Sequence, residues 1–134
     1  MAVLDDDSSL VELYQNILED EGYGVKPVLL TKNIPSIMGQ LRCFEAGLLV
    51  LDIHMPGIDV FNLLQQILTE PQLQGLKILL CSASKISLTN LLESLEEAGL
   101  PQQATLEKPF DLEDLIDCVK TLIGPPLNCT SIFS

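Results

Sequence analysis

Asp52 closes a run of four aliphatic residues, Leu48-Leu49-Val50-Leu51, and is followed by Ile53-His54-Met55-Pro56-Gly57-Ile58-Asp59. An uninterrupted aliphatic run reads as a strand buried on both faces, as in the middle of a parallel sheet, and Pro56-Gly57 then forces a turn. A carboxylate there faces the crevice beyond the carboxyl ends of the strands, where open α/β sheets place their chemistry. Three other apolar runs end in polar groups: Ala2-Val3-Leu4 in Asp5-Asp6-Asp7, Ile78 to Cys81 in Ser82, and Ala104 to Leu106 in Glu107-Lys108-Pro109. Taken singly, each is ordinary: acids after a strand often cap helices, and a lone lysine is usually a solvated charge. At successive strand ends of one parallel sheet they converge on a single edge.

Three carboxylates, Asp5, Asp6 and Asp52, would then meet one hydroxyl, Ser82, and one ammonium, Lys108. Carboxylates about 5 Å apart repel by roughly 3 kcal/mol per pair at an effective dielectric near 20. Such a cluster either shares a proton or binds a divalent cation. An all-oxygen, hard-ligand site suits Mg²⁺ or Mn²⁺. A cation beside a carboxylate also prepares phosphoryl transfer, with Asp52 as nucleophile and Lys108 and Ser82 receiving phosphoryl oxygens.

The elements that would position these groups alternate strand and helix five times. Leu10, Leu13, Tyr14, Ile17 and Leu18 share one face of a first helix, capped by Ser8 or Ser9 and ended by Gly22. Val25 to Leu30 reads as a second strand, and Pro27, which cannot donate to a ladder, assigns it to a sheet edge. Ile34, Ile37, Met38 and Leu41 stripe a second helix that Gly47 closes; Phe61, Leu64, Ile67 and Leu68 stripe a third, ending near Pro71. Leu88, Leu91, Leu92 and Leu95 mark a fourth, stopped by Gly99 and Pro101, and Asp111 caps a fifth carrying Leu112, Leu115, Ile116, Val119 and Leu122. Right-handed crossovers make this an α/β fold of three layers, αβα, around a five-stranded parallel sheet. Residues 1–123 form one domain, and 124–134 a tail without periodicity.

Composition limits the function. The chain has 134 residues, 47% of them hydrophobic, and a net charge of −12. No Lys/Arg cluster occurs, so direct nucleic-acid binding is not expected. No apolar run approaches the ~20 residues of a membrane span and no leader is evident, so a cytoplasmic protein is expected. Cys43, Cys81, Cys118 and Cys129 lie far apart, which argues against a disulfide framework or zinc site.

The order L-D-D, L-D-I-H-M-P-G-I-D, C-S-A and E-K-P-F resembles the receiver domain of two-component response regulators over nearly all of residues 2–123. The resemblance implies a flavodoxin-like strand order 2-1-3-4-5, which also puts the Pro27 strand at an edge. It implies Asp52 as phosphoacceptor, Asp6 and Asp52 as ligands of Mg²⁺, Asp5 acting through bound water, and the His54 backbone carbonyl as a further ligand. Ser82 and Lys108 match the switch hydroxyl and lysine, and the Lys108-Pro109 bond is expected to be cis.

The implied function is that of a phosphoacceptor, not an enzyme acting on other molecules. Its partners would be a sensor histidine kinase or histidine phosphotransfer protein and a downstream protein; a monomer or weak homodimer is expected. Three positions depart from the family. Val60 stands where a glycine is usual and is a poor occupant if φ is positive there. Thr105 replaces an aromatic that flips on activation, and the Gly99-to-Lys108 segment is longer than usual. His54 reads first as a solvent-facing loop residue, and second as a group lining the approach of hydrolytic water. The rival readings are a pseudo-receiver that is never phosphorylated, favoured by Val60 and Thr105, and, third, a metal-dependent phosphatase.

Overall fold

A computed structural model describes residues 1–29, 31 and 33–124. Five strands, β1 (Ala2–Leu4), β2 (Lys26–Pro27), β3 (Leu48–Asp52), β4 (Lys77–Ser82) and β5 (Ala104–Glu107), form one sheet in the order β2-β1-β3-β4-β5. Every pairing is parallel. The helices α1 (Ser8–Asp20), α2 (Ile34–Phe44), α3 (Val60–Thr69), α4 (Lys85–Glu97) and α5 (Leu112–Ile123) fill the crossovers, with a short 3₁₀ turn at Pro71–Leu73. This is the strand order and layering expected. No helix among the described residues is long and apolar enough to cross a membrane.

The period of two along the strands divides the core into two layers. Leu4, Leu49, Leu51, Ile78 and Leu80 pack with Ile37 and Leu41 of α2, Leu63 and Leu64 of α3, and Leu88 and Leu95 of α4. Val3, Leu48, Val50, Leu79 and Cys81 face the other way, onto Tyr14 and Leu18 of α1 and Leu115 and Val119 of α5. All five residues of β3 are buried, which is why its sequence shows no polar alternation.

Four local expectations change. The N-cap of α1 is Asp7, not a serine: its carboxylate accepts from the Ser9 and Leu10 amides at 3.0 and 3.3 Å. A carboxylate immediately before the serines does the work expected of the hydroxyls, and it favours the helix dipole as well. Strand β2 is only Lys26–Pro27 rather than Val25 to Leu30; the Lys26 and Val28 amides donate to the Met1 and Val3 carbonyls at 2.8 Å, so Pro27, between them, sits where no amide is needed by β1, and Leu30 lies outside the described residues. Helix α2 ends at Phe44, before Gly47, and the left-handed position falls on Glu45 at φ 51°. Val60 carries no strain: Asp59 caps α3 and Val60 is its first residue, buried in the core. Among the described residues Glu45 is the one non-glycine with positive φ. The tail, from 125 on, lies outside the described residues.

Leu51 is fully buried directly beneath the strand end that carries Asp52. Leu51→Ala is expected to cost about 3 kcal/mol through lost transfer energy and the cavity left behind, read as a lower urea midpoint with unchanged slope.

Candidate functional site

The register of the sheet sets the heights of the polar groups. Leu4 pairs with Leu51, so Asp5 leaves β1 level with Asp52 at the end of β3. Asp52 pairs with Cys81, and Ser82 with Glu107, so Ser82 emerges one residue and Lys108 two residues higher along the same edge. The Lys108 amide donates to the Ser82 carbonyl at 2.8 Å, which ties the β5 exit to β4. The order in which strands are added reverses between β1 and β3, where Asp5, Asp6 and Asp52 lie, the switch point at which such sheets open a crevice.

Carboxylate oxygens of Asp5, Asp6 and Asp52 lie within 4.8 Å of one another. The Lys108 Nζ stands 2.9 Å from Asp5 Oδ2 and 3.5 Å from Asp52 Oδ2. Asp5 Oδ1 accepts from the Asp7 amide at 2.9 Å, so both oxygens of Asp5 are engaged. Asp52 Oδ1 accepts from the His54 amide at 3.0 Å. Asp6 is exposed, whereas Asp5, Asp52 and Ser82 are buried.

A hollow of about 310 Å³ opens above this cluster, lined by Asp6, Asp52, His54, Ser82, Ser84 and Lys108 but not by Asp5. Ser82 Oγ accepts from the Ser84 amide at 3.0 Å, which turns the hydroxyl oxygen into the loop before α4. His54 is exposed and stands on the wall of the hollow. The Lys108-Pro109 peptide is cis, as expected. Thr105 and Glu107 are exposed on the edge strand.

Electrostatics follow from burial and pairing. Burial pushes Asp52 above the ordinary carboxylate range; the His54 amide opposes this, the Asp5 charge adds to it, and Lys108 relieves it. For Lys108, burial alone would lower the pKa. The hydrogen bond and charge of Asp5, joined by Asp52, outweigh it and hold the ammonium above its ordinary value. Three carboxylates around one ammonium leave negative charge uncompensated, and the donors facing the hollow are oxygens, so the residues fit a hard divalent cation such as Mg²⁺.

A family model for the response regulator receiver domain matches residues 1–120. The chain belongs to the response regulator receiver family. The receiver is 30% identical over 124 residues to the DNA-binding transcriptional regulator NtrC of Bradyrhizobium, covering 92% of this chain and 24% of that protein. It is 24% identical to the DNA-binding dual master transcriptional regulator RpaA of Synechocystis, over 90% of this chain and 47% of that one. The receiver thus spans under half the length of these two relatives. In structure it resembles the chemotaxis protein CheY4 of Vibrio cholerae, with a TM-score of 0.74 at 18% identity, over 91% of this chain and 96% of that one. It likewise resembles a signal receiver domain from Bermanella marisrubri, with a TM-score of 0.73 at 24% identity, over 91% and 95%. Both likenesses are of fold.

Two side chains next to the site carry no functional signal in the sequence: Tyr14 falls on the apolar stripe of α1 and Phe110 occurs only within E-K-P-F, yet their rings stack at 6.0 Å beside Lys108. No periodicity in α1 signals that its partner is a loop residue 96 positions on in the chain. Burial pushes the Tyr14 hydroxyl up to about 12, with the Lys108 charge pulling the other way.

Burial also pushes the Cys81 thiol from 9.0 up to about 12. Near pH 8 the native receiver is therefore expected to be alkylated at exposed Cys43 and spared at Cys81 until it is unfolded, as peptide mapping would show. Because the folded pKa of Cys81 lies above the unfolded one, the group's contribution to stability is complete below about pH 9 and is lost as pH rises towards 12.

Proposed function

We propose that the receiver accepts a phosphoryl group on Asp52 from a phosphohistidine donor, on a sensor histidine kinase or a histidine phosphotransfer protein. The observation that carries the reading is the Lys108 ammonium held between Asp5 and Asp52, at the rim of a hollow that Asp6, His54 and Ser82 also line. Asp6 and Asp52 would hold Mg²⁺, with the His54 carbonyl as a further ligand. Asp5, whose oxygens are both occupied, would reach it only through water. When bound, the cation neutralises phosphoryl oxygens and so lowers the repulsion between two anions.

The residues of the chain supply the rest. An Asp52 carboxylate oxygen attacks phosphorus; the new P–O bond forms as the donor's P–N bond breaks, and the imidazole nitrogen leaves with the electron pair. Lys108 turns from its aspartate partners towards one phosphoryl oxygen, and the Ser82 hydroxyl donates to another. Movement of these two groups pulls on the loops before α4 and α5, which biases the α4–β5–α5 surface towards the form that a downstream protein recognises.

The pseudo-receiver reading loses one of its two supports. Val60 occupies a helical position without strain, whereas Thr105 still offers no aromatic to flip. The charge of −12 and the lack of a basic cluster support the expectation that these residues do not contact nucleic acid directly.

Incubation with a small acyl phosphate and Mg²⁺, followed by intact mass measurement, is expected to show one phosphoryl adduct. The adduct should vanish when Mg²⁺ is withheld and in Asp52→Asn. Absence of both the adduct and Mg²⁺ binding would establish the pseudo-receiver instead, and steady turnover of a phosphoester would establish a hydrolase.

A further inference from the structure

Lys108 borders two hollows of opposite character. One is the polar hollow it shares with Asp6 and Asp52; the other is a mainly apolar hollow of about 260 Å³ that it lines together with Leu10, Tyr14, Phe110 and Leu112. A lysine in such a place buries its methylenes and extends its charge, so the apolar wall decides where the charge arrives. The sheet itself constrains this residue little. Strand β5 is at the edge, has only four residues, and alternates between half-buried and exposed; beyond it, the Lys108 amide to the Ser82 carbonyl is the remaining tie to β4.

The second anchor comes from α1. Tyr14 is 3% exposed, and its ring stacks on Phe110 with planes 21° apart, two residues after Lys108. Asp5 and Asp7 precede the same helix, and Asp7 caps it, so α1 carries at one end the carboxylate that Lys108 must reach and, two turns along, the ring that holds the lysine's loop. The geometry points to Tyr14 as a positioning residue: stacked on Phe110, it fixes the Lys108–Phe110 loop against α1 so that the ammonium reaches Asp5 and Asp52 together. This rests on the phosphoacceptor reading above for its consequence, since Lys108 is the group that must meet the incoming phosphoryl oxygen.

A loosened Lys108 has two effects of opposite sign. Phosphoryl transfer slows, because the ammonium is misplaced. Mg²⁺ binding tightens, because the ammonium competes for the carboxylates that would hold the cation. General damage to the fold would instead weaken both.

The test compares the intact chain with Tyr14→Ala, Phe110→Ala and Tyr14→Phe. Mg²⁺ affinity is read by calorimetry, and loading by a small acyl phosphate at saturating Mg²⁺. Each alanine variant is expected to load about tenfold more slowly while binding Mg²⁺ severalfold more tightly. The double variant should add little to either effect, and Tyr14→Phe, which keeps the ring, should behave as the parent does. Affinity and loading falling together, or neither changing, would overturn the assignment. Should circular dichroism show Tyr14→Ala to be unfolded, Tyr14→Leu carries the same comparison. If the parent chain takes up no phosphoryl group, the phosphoacceptor reading fails, and Mg²⁺ affinity alone then decides the role of Tyr14: tightening supports it and its absence overturns it.

Discussion

Everything at the carboxyl edge of this sheet depends on one contact, the ammonium of Lys108 between the carboxylates of Asp5 and Asp52. Two buried acids side by side at the ends of neighbouring hydrophobic strands are costly, and the fold tolerates them because a cation reaches both. That lysine comes from the far end of the chain, 103 residues from Asp5. The contact is thus formed only when β1, β3 and β5 are all in register, and it links the beginning of the fold to its end.

The same contact leaves the site poised. One positive charge does not balance three negative ones, and burial pushes Asp52 above the ordinary carboxylate range, so its charged form would gain from a further cation. Asp5 is satisfied from two sides by the Asp7 amide and Lys108, so the atoms that face open space belong to Asp6 and Asp52. Lys108 is shared between Asp5 and Asp52 and stands at the start of the loop that leads into α5, so the charge on Asp52 is felt at the root of that loop. Below the polar rim, Leu51, Leu80 and Cys81 are buried in the two hydrophobic layers.

Much of the fold was legible in the residues themselves. The aliphatic run of β3, the proline in β2 and the leucine stripes of the helices each encode a local demand for burial or for a missing amide, and each demand was met where it stood. Boundaries were less legible. Asp7 displaced the serines as cap because a carboxylate already oriented by the turn competes better than a hydroxyl, and Glu45 took the left-handed position two residues before the glycine that seemed suited to it. Val60 looked like a misfit while its φ was unknown and proved to be an ordinary first helical residue.

What the sequence determined by itself was the inventory and its order: five apolar runs, and acids, a serine and a lysine at the ends of four of them. Periodicity is a local property, and side-chain burial follows from it. Which residues touch across the edge is not local. The stacking of Tyr14 on Phe110, the double engagement of Asp5, and the exclusion of Asp5 from the hollow depend on how α1 and the β5–α5 loop close over one another. Only the tertiary structure decided these, because such contacts are set by distances between elements that no spacing along the chain encodes.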